Sequence, residues 1–175
     1  MFYKTKFKFK EELEYREEDG TKYIIIHHSE VTSHHTAGDV HRWHQNKGWA
    51  GIGYHYFISK SGDIYEGRPY DTVGAHTRGF NKESVGVCFE GDFNKETMTS
   101  TQLNASVMLL SLLSLAYDDA EICGHRKLVG EKNCPGKNFP FDSLMKSVND
   151  CKTYLRALFG TQIGNFNYKS ILDLL

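Results

Sequence analysis

The stretch YIIIHHSE, residues 23–30, combines a short apolar run with two adjacent histidines at its end. Isoleucine is β-branched and favours strands, and a short unbroken apolar run is typical of a strand buried on both faces. Successive side chains of a strand point to opposite faces, so His27 and His28 should diverge. We therefore predict a central strand over residues 23–26, with His27 at its end and its side chain in a cleft.

Strand and helix patterns alternate along the rest of the chain, which predicts an α/β or α+β fold with a mixed central sheet flanked by helices. The other predicted strands are an edge strand over residues 3–9, a hairpin within residues 53–68 that turns at Ser61 and Gly62, and a buried strand within residues 84–92. An acidic stretch closes at a predicted turn over Asp19 and Gly20. The predicted helices are one opened by Thr36 and Asp39 and stopped by Gly48, one over residues 100–116 opened by Thr99 and Gln102, and one over residues 141–158.

The composition excludes several classes of function. Basic and acidic residues number 21 and 22, so the formal net charge of −1 creates no field that would attract nucleic acid. No run approaches the roughly 20 apolar residues that a membrane span requires. The first residues, MFYKTKFKFKEELEYREED, lack the apolar segment of a secretory signal, so we expect the chain to be made and held in the cytoplasm. The four cysteines lack the dense spacing of a disulfide scaffold.

A second stretch contains side chains that can bind a metal ion. It is GHRKLVGEKNCPG, residues 124–136, with His125 and Cys134. Together with His27 these residues offer two imidazoles and one thiolate, a set that zinc favours. Three protein ligands leave a position for water, which is typical of a catalytic zinc site. The proline–glycine turn after Cys134 predicts an exposed side chain there. The chain has nine histidines, so spacing alone leaves competing ligands open, namely the adjacent pair His34 and His35.

Four segments in a fixed order carry a resemblance to a known family. They are YIIIHHSE, then DVHRWHQNKGWAGIGYHYFISKSGDIYEGRP at residues 39–69, VGAHTRGFNKESVGVCFEGDF at residues 73–93, and GHRKLVGEKNCPG. Residues 22–158 thereby resemble the zinc-dependent N-acetylmuramoyl-L-alanine amidases, which include phage endolysins, bacterial autolysins and peptidoglycan recognition proteins. The resemblance implies a mixed sheet flanked by helices, with one Zn²⁺ in a surface groove. We assign residues 1–159 to an amidase catalytic domain and residues 160–175 to a tail or linker stub.

The resemblance also assigns roles to particular residues. The family's metal ligands fall on His27, His125 and Cys134. Its catalytic groups fall on Tyr54, in the GYH motif, and on Lys132, two residues before the cysteine ligand. Two loops, EGRP and GAHTRGFN, are implied to border the substrate groove, and a guanidinium there suits the carboxylates of a stem peptide. The substrate-binding residues implied are Arg68, His76, Thr77 and Asn81.

The chain departs from the family's pattern in two places. The loop between the last two ligands is one residue longer than in many relatives. Cys88 occupies a strand position where some members carry a glutamate that serves as general base, and Glu90 shares its strand parity. Among the aromatic residues, Trp43 and His44 are predicted to pack the first helix against the sheet, and Trp49 fits either the core or the groove rim.

The implied reaction is hydrolysis, by zinc-activated water, of the amide between N-acetylmuramic acid and L-alanine of the stem peptide in bacterial peptidoglycan. One alternative is a non-catalytic peptidoglycan-binding module, because some recognition proteins lose the cysteine ligand. A zinc peptidase would show the HExxH motif, which this sequence lacks. A structural zinc site would require a fourth protein ligand.

Overall fold

The computed structural model describes residues 1–17, 20–118, 120–130, 133–160 and 170. Within them, strands form one six-stranded sheet in the order β1-β4-β3-β5-β2-β6. Only the pairing of β3 with β4 is antiparallel, so the sheet is mixed, as predicted. The strands are β1 (Phe2–Tyr3), β2 (Tyr23–His28), β3 (Tyr56–Ile58), β4 (Ile64–Glu66), β5 (Ser84–Phe89) and β6 (Glu121–Gly124).

Helices cover both faces of this sheet. They are α1 (Ala37–Asn46), α2 (Ser100–Ala116), α3 (His125–Val129) and α4 (Phe141–Gly160). The predicted capping box opens α1, with both hydrogen bonds between Thr36 and Asp39 present. On one face, α2 and α4 bury leucines against β2 and β5. On the other face, α1 contributes Val40 to a smaller cluster with Phe57 and Cys88.

The register of β2 determines what lies at the edge of the sheet. This strand pairs in parallel with both β5 and β6, with His27 opposite Cys88 and Ile26 opposite Gly124. His28 points toward α2 and α4, where its ring stacks on Phe93, so His27 faces the α1 side. Because parallel strands end at the same edge, β2 and β6 bring their C-terminal residues together there.

The predicted edge strand is wrong in its extent. β1 does lie at the sheet edge, beside β4, but it comprises only Phe2–Tyr3. Phe7 and Phe9 leave the sheet and pack against the ring of His41 on α1, with centroid separations of 4.4 and 5.3 Å. The alternating phenylalanines therefore reflect burial against a helix rather than strand pairing.

The predicted capping box at the start of α2 is only half correct. Thr99 accepts a hydrogen bond from the Gln102 backbone, but the Gln102 side chain donates instead to the carbonyls of Ile58 and Glu90. This buried amide ties α2 to the ends of β3 and β5. The predicted turn at Asp19 and most of the predicted tail over residues 160–175 lie outside the described residues. None of the described helices has the length and apolarity needed to cross a membrane.

Three buried histidines accept hydrogen bonds from backbone amides on the α1 side of the sheet. The Nδ1 atoms of His41, His44 and His55 accept hydrogen bonds from the backbone amides of Ile52, Gly53 and Gly86, at 3.2, 3.0 and 2.9 Å. Burial lowers the pKa of each ring, to about 4 for His44 and to about 3 for His55. These rings are therefore neutral at neutral pH, as acceptance at Nδ1 requires.

We expect the metal-free chain to lose stability as the pH falls below about 6.5, the pKa of histidine in an unfolded chain. The unfolded state binds protons there while the buried rings stay neutral. Each such ring adds a slope of up to about 1.4 kcal/mol per pH unit until the pH reaches its folded-state pKa. Urea unfolding at a series of pH values, with chelator present, measures this slope. A stability that stays constant between about pH 6.5 and 5 would contradict the prediction.

Candidate metal centre

Three predicted ligands converge at the carboxyl edge of the sheet. His27 is the penultimate residue of β2, His125 is the first residue after β6, and Cys134 follows in the next loop. One ligand atom from each residue lies within 4.8 Å of the others, and all three residues are buried. Nδ1 of His27 is 3.8 Å from Sγ of Cys134. The prediction that Cys134 is exposed is wrong, because its side chain lies against the His27 ring and the residue is only 6% accessible.

This donor set suits a metal ion. Two imidazole nitrogens and one thiolate match the preference of zinc, and a set of three leaves one coordination position for water or substrate. It is the only such group found among the described residues. The competing pair is engaged elsewhere, since Nδ1 of His34 bonds to Glu90 and the ring of His35 packs on Trp43.

The cluster opens into a groove with a volume of about 220 Å³. Trp43, Lys47 and Trp49 line its α1 side, and the two indoles are 37% and 42% exposed. Trp49 therefore belongs to the groove rim, and Trp43 lines the groove rather than only packing α1 on the sheet. Glu30 also lines the groove, in a left-handed conformation with φ at 60°, which is unusual for a residue other than glycine. Neither this carboxylate nor Lys47 was predicted from the sequence.

Tyr54, the predicted catalytic tyrosine, lies beside the cluster. Its ring centroid is 5.1 Å from that of His27 and 5.6 Å from that of His44. Burial raises the pKa of Tyr54 well above 10, and the neighbouring Cys88 and Cys134 sulfurs raise it further. The strand register places the buried Cys88, one of these neighbours, opposite His27. The second predicted catalytic group, Lys132, lies outside the described residues.

Three of the four predicted substrate-binding residues form one hydrogen-bonded group behind His27. Nδ1 of His76 lies 3.0 Å from Nε2 of His27 and 3.0 Å from Oγ1 of Thr77, and Oγ1 of Thr77 lies 3.3 Å from the same Nε2. Oδ1 of Asn81 accepts hydrogen bonds from both backbone amides of the loop, those of His76 and Thr77. Of this group, His76 lines the groove.

The fourth residue, Arg68, lies outside the metal groove. It is 6% exposed, donates to the carbonyls of Ile52 and Val73, and lies over the ring of Phe9. It lines a second depression, which meets the metal groove at Trp49 and Ala75. Through these contacts Arg68 links neighbouring loops.

The carboxylate of Glu90 is fully buried and does not line the groove. It accepts hydrogen bonds from the amides of His35 and Lys60 and from the ring of His34. Burial alone would raise the pKa of Glu90, but these hydrogen bonds lower it below its usual value. Glu90 therefore anchors two loops in its ionised form.

The protein is therefore an α/β domain with a candidate three-ligand metal site in a surface groove. Residues 17–137 match the family described as N-acetylmuramoyl-L-alanine amidase. The chain belongs to this family, and the predicted family is thereby confirmed.

Individual relatives agree with this membership. The endolysin of Klebsiella phage KP32 is 34% identical over 122 residues, which cover 66% of this chain and 80% of the relative. Peptidoglycan-recognition protein SC2 of Drosophila simulans is 36% identical over 126 residues, 60% of this chain. The chain spans 66% of that relative's length. The solved endolysin N-acetylmuramoyl-L-alanine amidase LysCS from Clostridium intestinale URNW superposes with a TM-score of 0.79 at 32% identity, covering 85% of this chain and 95% of that one.

Proposed function

We propose that this chain is a zinc-dependent peptidoglycan amidase that cleaves the bond between N-acetylmuramic acid and L-alanine of the stem peptide. The observation that carries the proposal is the convergence of two histidines and a cysteine on an open groove in a member of the amidase family. The endolysins among its relatives support action on the bacterial wall, after release from the cytoplasm in which we expect the chain to be made.

The proposed ligands are His27, His125 and Cys134. Zinc held there would polarise the scissile carbonyl and lower the pKa of water toward about 7. The Cys134 thiolate reduces the formal charge of the occupied site to about +1, so a neighbouring group must assist. Burial keeps Tyr54 in its phenol form, which can orient the attacking water by donating or accepting a hydrogen bond.

Lys132 is proposed to stabilise the negative charge that develops on the carbonyl oxygen. We expect Lys132→Ala to retain zinc and to lose about 10²–10³ in kcat, because a fixed positive charge acts mainly on the transition state. Zinc content and the rate of peptidoglycan hydrolysis measure the two effects. Lys127→Ala, an exposed lysine in the same segment that pairs with Glu121, is the matched control and should keep the full rate. Full activity in Lys132→Ala would remove this role.

A peptidoglycan-binding module is the second candidate function. The recognition proteins among the relatives favour it, and the exposed Trp43 and Trp49 would suit binding without cleavage. The retained Cys134 favours the enzyme, because a module that only binds does not require the third ligand.

The deciding experiment exposes purified peptidoglycan to the protein, with chelator, with chelator followed by zinc, and with neither. We expect new L-alanine amino termini that disappear with chelator and return with zinc. A folded, zinc-loaded protein that binds peptidoglycan without cleaving it would favour the binding module. New reducing sugar ends without alanine termini would indicate a glycosidase and contradict the proposal.

A further inference from the structure

The ring of His27 has two nitrogens with different surroundings. Nδ1 faces the candidate metal centre, 3.8 Å from Sγ of Cys134. Nε2 faces away from it, 3.0 Å from Nδ1 of His76 and 3.3 Å from Oγ1 of Thr77. A histidine that binds a metal through one nitrogen carries its proton on the other and needs an acceptor for it.

The neighbours of His76 fix which of its nitrogens is the acceptor. With a proton on Nε2 of His27, the facing Nδ1 of His76 must be unprotonated, since two N–H groups at 3.0 Å would repel. The proton of His76 then lies on Nε2, which points toward Oγ of Ser84 at 3.5 Å. Ser84 in turn donates to the carbonyl of Phe80 at 2.7 Å.

The position of the His76 ring is fixed by close backbone packing. A Cβ atom at Gly74 or at Gly86 would lie 2.5 Å from Cδ2 of His76, so glycine at both positions lets the ring approach. Oδ1 of Asn81 holds the amides on either side of the ring's Cα, those of His76 and Thr77, at 2.9 and 2.8 Å. The close approach to Gly86 on β5 and the hydrogen bonds to Asn81 in the loop together hold the ring against His27.

We infer that His76 is a positioning residue, which accepts the Nε2 proton of His27 and thereby directs Nδ1 of His27 to the metal. The inference rests on the proposed metal site. It assigns His76 a role in metal affinity, which is separate from the substrate contact implied by the family resemblance. Partners of this kind typically change metal affinity by about 10- to 100-fold.

The test compares His76→Leu, which removes the acceptor, with His76→Asn, whose side-chain oxygen can replace Nδ1 as acceptor. Zinc affinity is measured by competition with a chromophoric chelator at neutral pH, and kcat and KM are measured separately. His34→Leu makes the same change at an exposed loop histidine and is the control. Unfolding of the metal-free variants checks the fold, and His76→Ala replaces the leucine variant if leucine does not fit.

We expect the leucine variant to bind zinc about 10- to 100-fold more weakly, the asparagine variant to recover most of the affinity, and the His34 control to match the wild type. The visible spectrum of the Co²⁺-loaded leucine variant should also change, because the His27 ring is free to rotate. Unchanged zinc affinity with a raised KM would make His76 a substrate contact and overturn the inference. Equal weakening by leucine and asparagine would overturn it too. A folded wild type that binds no zinc would overturn the proposed metal site and this inference with it.

Discussion

Cys134→Ser is expected to abolish zinc binding at neutral pH and to lower the rate of peptidoglycan hydrolysis by at least about 10³-fold. Cysteine binds zinc as a thiolate, whereas a serine hydroxyl keeps its proton at this pH. The two remaining ligands, His27 and His125, are neutral imidazoles, so the site would lose its only anionic donor. Zinc content after dialysis and the release of L-alanine termini measure the two effects.

The control for this substitution is Cys151→Ser, which makes the same chemical change on α4, outside the groove. It should retain both zinc and the full rate. Because serine is nearly isosteric with cysteine, the Cys134 variant should unfold at nearly the same urea concentration as the wild type when both are metal-free. Full zinc occupancy in Cys134→Ser would show that the metal binds elsewhere.

Tyr54→Phe is expected to keep zinc and to lose about 10²–10³ in kcat, with little change in KM. The phenyl ring preserves the packing against His27, His44 and His76, whose centroids lie 5.1, 5.6 and 6.2 Å away. Only the hydroxyl is removed, and with it the group that we propose orients the water.

Tyr65→Phe is the matched control for Tyr54→Phe. Tyr65 lies on β4, stacks on Tyr3 and does not line the groove. Steady-state rates on soluble muropeptide, together with zinc content, separate loss of chemistry from loss of metal. A Tyr54→Phe rate within a few-fold of the wild type would assign the ring to packing alone.

Three helices, α1, α2 and α4, and the central strand could be predicted because their signals are local, whereas the short helix α3 was not predicted. The bounds of α2, residues 100–116, follow from a mostly apolar run after the N-cap Thr99. The capping box of α1 follows from two side chains that bond within one turn. The edge strand predicted over residues 3–9 was wrong in its extent because its contacts are not local. An alternating pattern predicts which side chains are buried, but it does not identify the element against which they pack. Here Phe7 and Phe9 pack against α1.

The mixed α/β class, the family and the three candidate ligands could be predicted from the sequence, because they depend on the order of the motifs and on residue chemistry. The burial of Cys134, the loop contacts of Arg68 and the contact between His27 and His76, 49 residues apart, became known only from the folded chain. Strand pairing and loop packing set the distances between side chains that are remote in the sequence. The residues adjacent in the sequence predict local conformation, but they do not predict which nitrogen of a distant ring a side chain will contact.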